Sequence, residues 1–159
     1  MPNWVQTAKS EEMKSSTVRA NWSLEIGLLK SELIKSANTR VKSCIKTGHH
    51  IEAIALLESL IADRLEAGLS RKREGAQPMS TLGPLLKESL NVELISNELC
   101  DEIRSWSKER NKVLHEMVKV RDSGSGNWSE RMKYARSLAL EGNQIYERLA
   151  KEIRKIQRR

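Results

Sequence analysis

The chain has no phenylalanine, and four tryptophans and two tyrosines are its only aromatic residues. A core without Phe must be assembled from Leu, Ile, Val, Met and the tryptophans, a set that suits helices packing along apolar stripes. Cysteine is scarce too: Cys44 and Cys100 lie far apart, with no further Cys or His at ligand spacing. Neither a disulfide framework nor a zinc site is therefore indicated, and both thiols are expected to be reduced and packed. No apolar run approaches the roughly 18 residues that a membrane span needs. Nor does the N-terminus show a basic stretch followed by an apolar block, so neither secretion nor membrane insertion is indicated and a cytoplasmic location is expected. Sustained β-type alternation, internal repeats and low-complexity tracts are also missing.

What the chain does have is charge. Charged residues make up 31% of its 159 residues, with a formal net charge of +7. This balance favours polyanionic partners, RNA or DNA ahead of an acidic membrane surface, although solubility alone would also account for it. The length suits one domain with one core. The expected fold is therefore all-α: a single-domain, antiparallel helical bundle of four main helices with short helical pieces.

Residues 1–16 are polar and read as an N-terminal tail, with the helical domain spanning 17–159. Trp22, Ile26, Leu29, Leu33, Ala37 and Cys44 recur at three- and four-residue steps and predict a first helix from Val18 to Lys46, ended by Thr47-Gly48. A second helix, from His50 to Leu69, is apolar on most of its circumference and is expected to be central. Ser70 to Pro84 carries Gly and Pro breaks after Arg71, Lys72 and Arg73, so it reads as an exposed basic loop able to touch a phosphate backbone. A short piece from Leu85 to Leu90 leads into a helix from Val92 to Val120. Asn127 and Glu130 stand at capping-box spacing before a last helix expected to bury Trp128, Met132, Ala135, Leu138, Ile145, Leu149, Ile153 and Ile156.

Chemistry concentrates on the fourth of these segments. At about 100° per residue, the apolar stripe through Ile103 and Trp106 has Arg110 near its middle, where a lone guanidinium would be costly. On the central helix, Glu58 sits equally deep in the apolar arc of Ile54, Ile61 and Leu65. The two are expected to approach each other across the helix packing, with Glu58 holding Arg110. Independent snorkelling of both side chains is the plainer alternative. His115 falls about 140° around the helix from Arg110, but only about 40° from Asn111. Arginine offers a planar donor fork for phosphate oxygens, and histidine can exchange protons near neutral pH. Either the helix is distorted between the two, or a working pocket combines groups from two copies of the chain.

The stretch Arg110-Asn111-Lys112-Val113-Leu114-His115 resembles the signature of the HEPN superfamily: an arginine, a polar residue next to it, and a histidine five positions on, all on a helix. The resemblance spans mainly Ile51 to Val120. It implies a homodimeric, metal-independent endoribonuclease without cofactor, with Arg110, Asn111 and His115 as catalytic residues and Glu58 in support. It further implies a toxin or antiviral effector, with an antitoxin or regulatory protein as partner. The two motifs would meet at a symmetric dimer interface, and Asn111 would orient the imidazole or bind a phosphate oxygen. Arg71, Lys72, Arg73, Lys108 and Lys112 are the RNA-binding candidates. Met117 stands where related toxins often carry a tyrosine, which puts their known modification route in doubt here. The rival readings are a catalytically silent HEPN-like domain that binds RNA or a protein, and a plain helical dimerisation module. Without the family pattern, His115 reads as a surface residue, and His49 and His50 read as turn residues.

Overall fold

The structure, a computed structural model, describes residues 3–72, 81–119 and 126–156, with side chains from residue 24 onward. Among these residues five helices follow one another: α1 (Asn3–Thr47), α2 (His50–Lys72), α3 (Leu82–Asn91), α4 (Asn97–Glu116) and α5 (Trp128–Ile156). Among the described residues no strand occurs and no helix is long and apolar enough to cross a membrane. The expected tail is helical, since α1 starts at Asn3. Two compact units divide the chain within α1, Met1–Asn38 and Thr39–Arg159, rather than at residue 17.

In the first unit, Leu24, Ile26, Leu28, Leu29 and Leu33 are all exposed. The three- and four-residue spacing of Ile26, Leu29 and Leu33 thus marks a helix without marking a core. Trp22 lies outside the described side chains.

In the second unit, the last turns of α1 bury Val41 and Cys44. The helix stops as expected at Gly48, whose φ of 87° suits glycine and lets His49 N–H reach back to the Cys44 carbonyl at 2.8 Å. Arg40 and Glu52 pair across this turn. Helix α2 is the central element, with Ala53, Ile54, Leu57, Leu60, Ile61, Leu65 and Leu69 buried. It runs three residues past the expected end, so Arg71 and Lys72 lie in its last turn; Arg73 falls outside the described residues.

Helix α3 begins at Leu82. Pro84 fits in the first turn because backbone N–H groups there have no partner inside the helix. The motif helix starts later than its apolar pattern suggests. Val92, Glu93 and Leu94 donate back to the carbonyls of Glu88, Leu90 and Ser89, and Glu93 adopts a φ of 52°, so the chain turns before re-entering a helix. Ser96 then caps α4, accepting from Leu99 N–H at 3.3 Å, while the Glu152 carboxylate accepts from both its backbone N–H and its hydroxyl at 3.1 Å. The expected capping box of α5 forms: Asn127 Oδ1 accepts from Glu130 N–H and Glu130 Oε2 from Asn127 N–H, each at 3.0 Å.

Cross-helix contacts fix the directions. Glu58 meets Arg110 and Lys72 meets Val92, so α4 runs against α2. Tyr134 meets Glu109 and Glu152 meets Ser96, so α4 also runs against α5. Consecutive long helices therefore alternate, but α2 and α5 run parallel and share the most extensive packing in the unit. The bundle is thus not antiparallel throughout. Its framework is three long helices, because α1 contributes only residues 39–47 to this unit. Trp106 is fully buried where α4 crosses α5, and its indole N–H donates to the Leu138 carbonyl at 2.9 Å. Gly142 faces the ring so closely that a Cβ would lie 2.7 Å from it. Trp128, expected in the core, is 59% exposed, because it belongs to the capped first turn, before α5 engages α4.

Candidate functional site

Helix α4 presents two faces, and the motif residues divide between them. Its inward face buries Leu99, Cys100, Ile103, Trp106 and Val113. Arg110 joins that face, with 11% of its side chain exposed, and ion-pairs through a terminal guanidinium nitrogen with Glu58 Oε1, whose side chain is 32% exposed. The approach expected from the two helical wheels is therefore present. Arg110 Nε is buried without a hydrogen-bond partner, so the guanidinium is not fully satisfied by Glu58.

Asn111 and His115 lie on the outward face and are exposed, as are Lys108 and Lys112. They form one polar strip, because steps of three and four residues bring them to the same side. One chain thus separates Arg110 from His115 by about 140° around a helix, and by about 7.5 Å along it. No distortion of the α-helix reunites them. His115 is also the basic group of the last turn, where positive charge suits the carbonyl end of the helix.

Three side chains around the motif were not legible in the sequence. Arg131, at the start of α5, holds the end of α4 by donating to the carbonyls of Glu116 at 3.0 Å, of Met117, and of Lys119 at 2.9 Å. This explains why the helix ends before Val120: a guanidinium takes the place of the next turn's amide donors. Glu109 accepts from Lys112 at 2.7 Å and from the Tyr134 hydroxyl at 2.5 Å. Lys112 first, and then Tyr134, hold the Glu109 carboxyl below its usual range. Burial, followed by the carboxylate, pushes the Tyr134 phenol up to about 12. The Glu109-Lys112 spacing was a local signal for half of this cluster. Arg131 and Tyr134 had none, because their partners lie on another helix.

The expected RNA-binding residues split as well. Lys108 and Lys112 accompany His115, whereas Arg71 and Lys72 stand at the opposite end of the bundle. Lys72 Nζ donates to the Val92 carbonyl at 2.5 Å, just before α4 begins, and from Asn97 to His115 is about 27 Å along the helix axis. The two cysteines are free and buried, and burial raises both thiols. Among the described residues, no group of three or more His, Cys, Asp or Glu side chains could hold a metal ion. Compared with known family models, curated proteins and solved structures, the chain matches none.

Proposed function

We propose that the chain is a metal-independent endoribonuclease of HEPN type, active when two copies bring their α4 segments together, and serving as a toxin or antiviral effector. The observation that carries this reading is the ion pair of Arg110 with Glu58. It seats a cation in the helix packing, where an ordinary core position would be aliphatic, and it leaves a buried N–H donor unused. A guanidinium fixed in this way is preorganised for charge developing on a phosphate.

In the proposed reaction the neutral imidazole of His115 in one copy accepts the 2′-hydroxyl proton. The 2′-oxygen attacks the adjacent phosphorus, and the bond to the 5′-oxygen breaks as that oxygen takes a proton from the second copy's His115 in its imidazolium form. The products are a 2′,3′-cyclic phosphate and a 5′-hydroxyl. DNA, lacking the nucleophile, is inert. Arg110 neutralises the phosphorane-like transition state, and Asn111 steadies His115 from one turn away.

A second reading has its own support. In one chain Arg110 turns inward and His115 outward, so a chain that does not pair can bind RNA through Lys108, Asn111, Lys112 and His115 without cleaving it. Labelled RNA incubated with the protein in excess chelator separates the two. Cleavage that falls about 10²- to 10⁴-fold in a folded His115→Ala variant, and about 10²- to 10³-fold in Arg110→Ala, supports the nuclease. Undiminished cleavage by His115→Ala refutes the assigned site, and absence of cleavage by the unaltered protein at concentrations where it is dimeric favours the binding reading.

A further inference from the structure

The parallel course of α2 and α5 brings both C-terminal turns to one end of the bundle, and each turn is basic: Arg71 and Lys72 on α2, Arg154 and Lys155 on α5. Their heights match. Arg64 meets Tyr146 at 3.5 Å, and carrying that register eight residues up the parallel pair sets Lys72 level with Arg154. Two basic segments some eighty residues apart in sequence thus become one cluster. All four side chains are exposed.

Between the helix ends lies an open groove of about 450 Å³ lined by Gly68, Arg71, Lys72, Leu94 and Ile156. Its floor is apolar and its rim carries the cations. Of the nearby carboxylates, Glu152 is engaged by Ser96, while Glu93 is exposed. Lys72 is partly committed to the Val92 and Glu93 carbonyls, and Arg154 donates its Nε to the Ala150 carbonyl at 2.9 Å, which leaves Arg71, Lys155 and the terminal nitrogens of Arg154 as the main outward charges.

We propose that this end is a docking surface for single-stranded RNA. The basic rim takes the phosphates and the apolar floor takes a base, about 27 Å along α4 from His115. An acidic peptide would fill the floor only where it carries an aromatic side chain at the right place, whereas every nucleotide brings a flat base together with its phosphate. An anionic membrane would call for large exposed apolar side chains to insert, and those described on this unit lie elsewhere, Val118 in the turn after α4 and Trp128, Tyr134 and Leu140 on earlier turns of α5. The proposal rests on RNA as the ligand but not on cleavage, so the two can fail separately. The basic ends would also complement the helix dipoles, a role that shows in stability and not in RNA affinity.

The test is binding of a single-stranded 2′-O-methyl oligonucleotide, which cannot be cleaved by 2′-oxygen attack, across a range of salt concentrations. The proteins are the unaltered chain, a triple variant Arg71→Gln, Arg154→Gln, Lys155→Gln, and a Lys108→Gln, Lys112→Gln control. The unaltered chain should bind with affinity falling as salt rises. The triple variant should lose at least about tenfold in affinity and about 2 from the log–log salt slope, with its unfolding midpoint little changed, and more than the control loses. Failure of the unaltered chain to bind, a triple variant that binds like it, or a larger loss in the control would each overturn the proposal. So would binding of polyglutamate or phosphatidylserine vesicles in preference to the oligonucleotide. If instead this pattern is met while His115→Ala still cleaves RNA at the full rate, the docking surface stands and the assigned nuclease centre falls.

Discussion

Glu58 on α2 grips Arg110 on α4 across the packing of two antiparallel helices, pairing a carboxylate with a guanidinium that is nine-tenths covered. The pair ties the proposed chemistry to the stability of the bundle, because neither charge can be removed without stranding the other in partly apolar surroundings.

Arg110→Ala is accordingly expected to cost about 1–3 kcal/mol. This is below the roughly 3–5 kcal/mol typical when a fully buried pair is broken, because water reaches a third of Glu58. Glu58→Gln should cost less than Arg110→Ala, since glutamine still offers a carbonyl to the guanidinium. Joint replacement, Glu58→Gln with Arg110→Ala, should cost less than the two single changes added. Denaturant melts of the four proteins check this, and strict additivity would show that the pair is not coupled.

Gly142→Ala should destabilise the chain by about 1–3 kcal/mol. Alanine gains up to about 1 kcal/mol in helix propensity, but its Cβ would fall 2.7 Å from the Trp106 ring, and a rigid indole pinned by its N–H cannot yield as a flexible side chain does. A lowered melting temperature together with a shift in tryptophan emission is the expected result. A more stable variant would mean that the ring has room to move.

Stability should also decline in mild acid through His50. Its imidazole is buried with Nδ1 unpartnered, and burial first, then Arg136 and His49, push its pKa below the usual value. A depressed folded-state pKa means that the unfolded chain binds the proton more readily. The contribution is present above about pH 6.5, the ordinary histidine value, and is lost as pH falls below it. Melts between pH 5 and pH 8 should show the decline, and His50→Leu should flatten it. An equal slope in that variant would assign the effect to other groups.

Much of the helical layout was legible because its signals are local. The α5 capping box needs only Asn127 and Glu130, three residues apart. The Gly48 stop needs only a residue tolerant of positive φ. Helical wheels placed Arg110 and Glu58 in their apolar arcs, since angular position follows from spacing alone. Where a remote group intervenes, the reading failed. The apolar periodicity from Val92 runs straight through the turn that Glu152 and Ser96 impose, and nothing near Val120 foretells that Arg131 will occupy the last carbonyls of α4. Periodicity also cannot say whether a stripe meets a partner: Ile26, Leu29 and Leu33 repeat as a core would, yet they are exposed.

By itself, then, the sequence determined the all-helical class, the Gly48 stop, the α5 capping box and the two opposed faces of the motif helix, because each depends on backbone geometry and on residues within a turn or two. Tertiary structure decided between pairing and snorkelling for Glu58 and Arg110, and it alone decided that α2 and α5 run parallel and that basic turns eighty residues apart share one end while His115 stands at the other. Those outcomes depend on how helices pair in space, a choice made by total apolar burial and by contacts between distant residues, which no local pattern encodes.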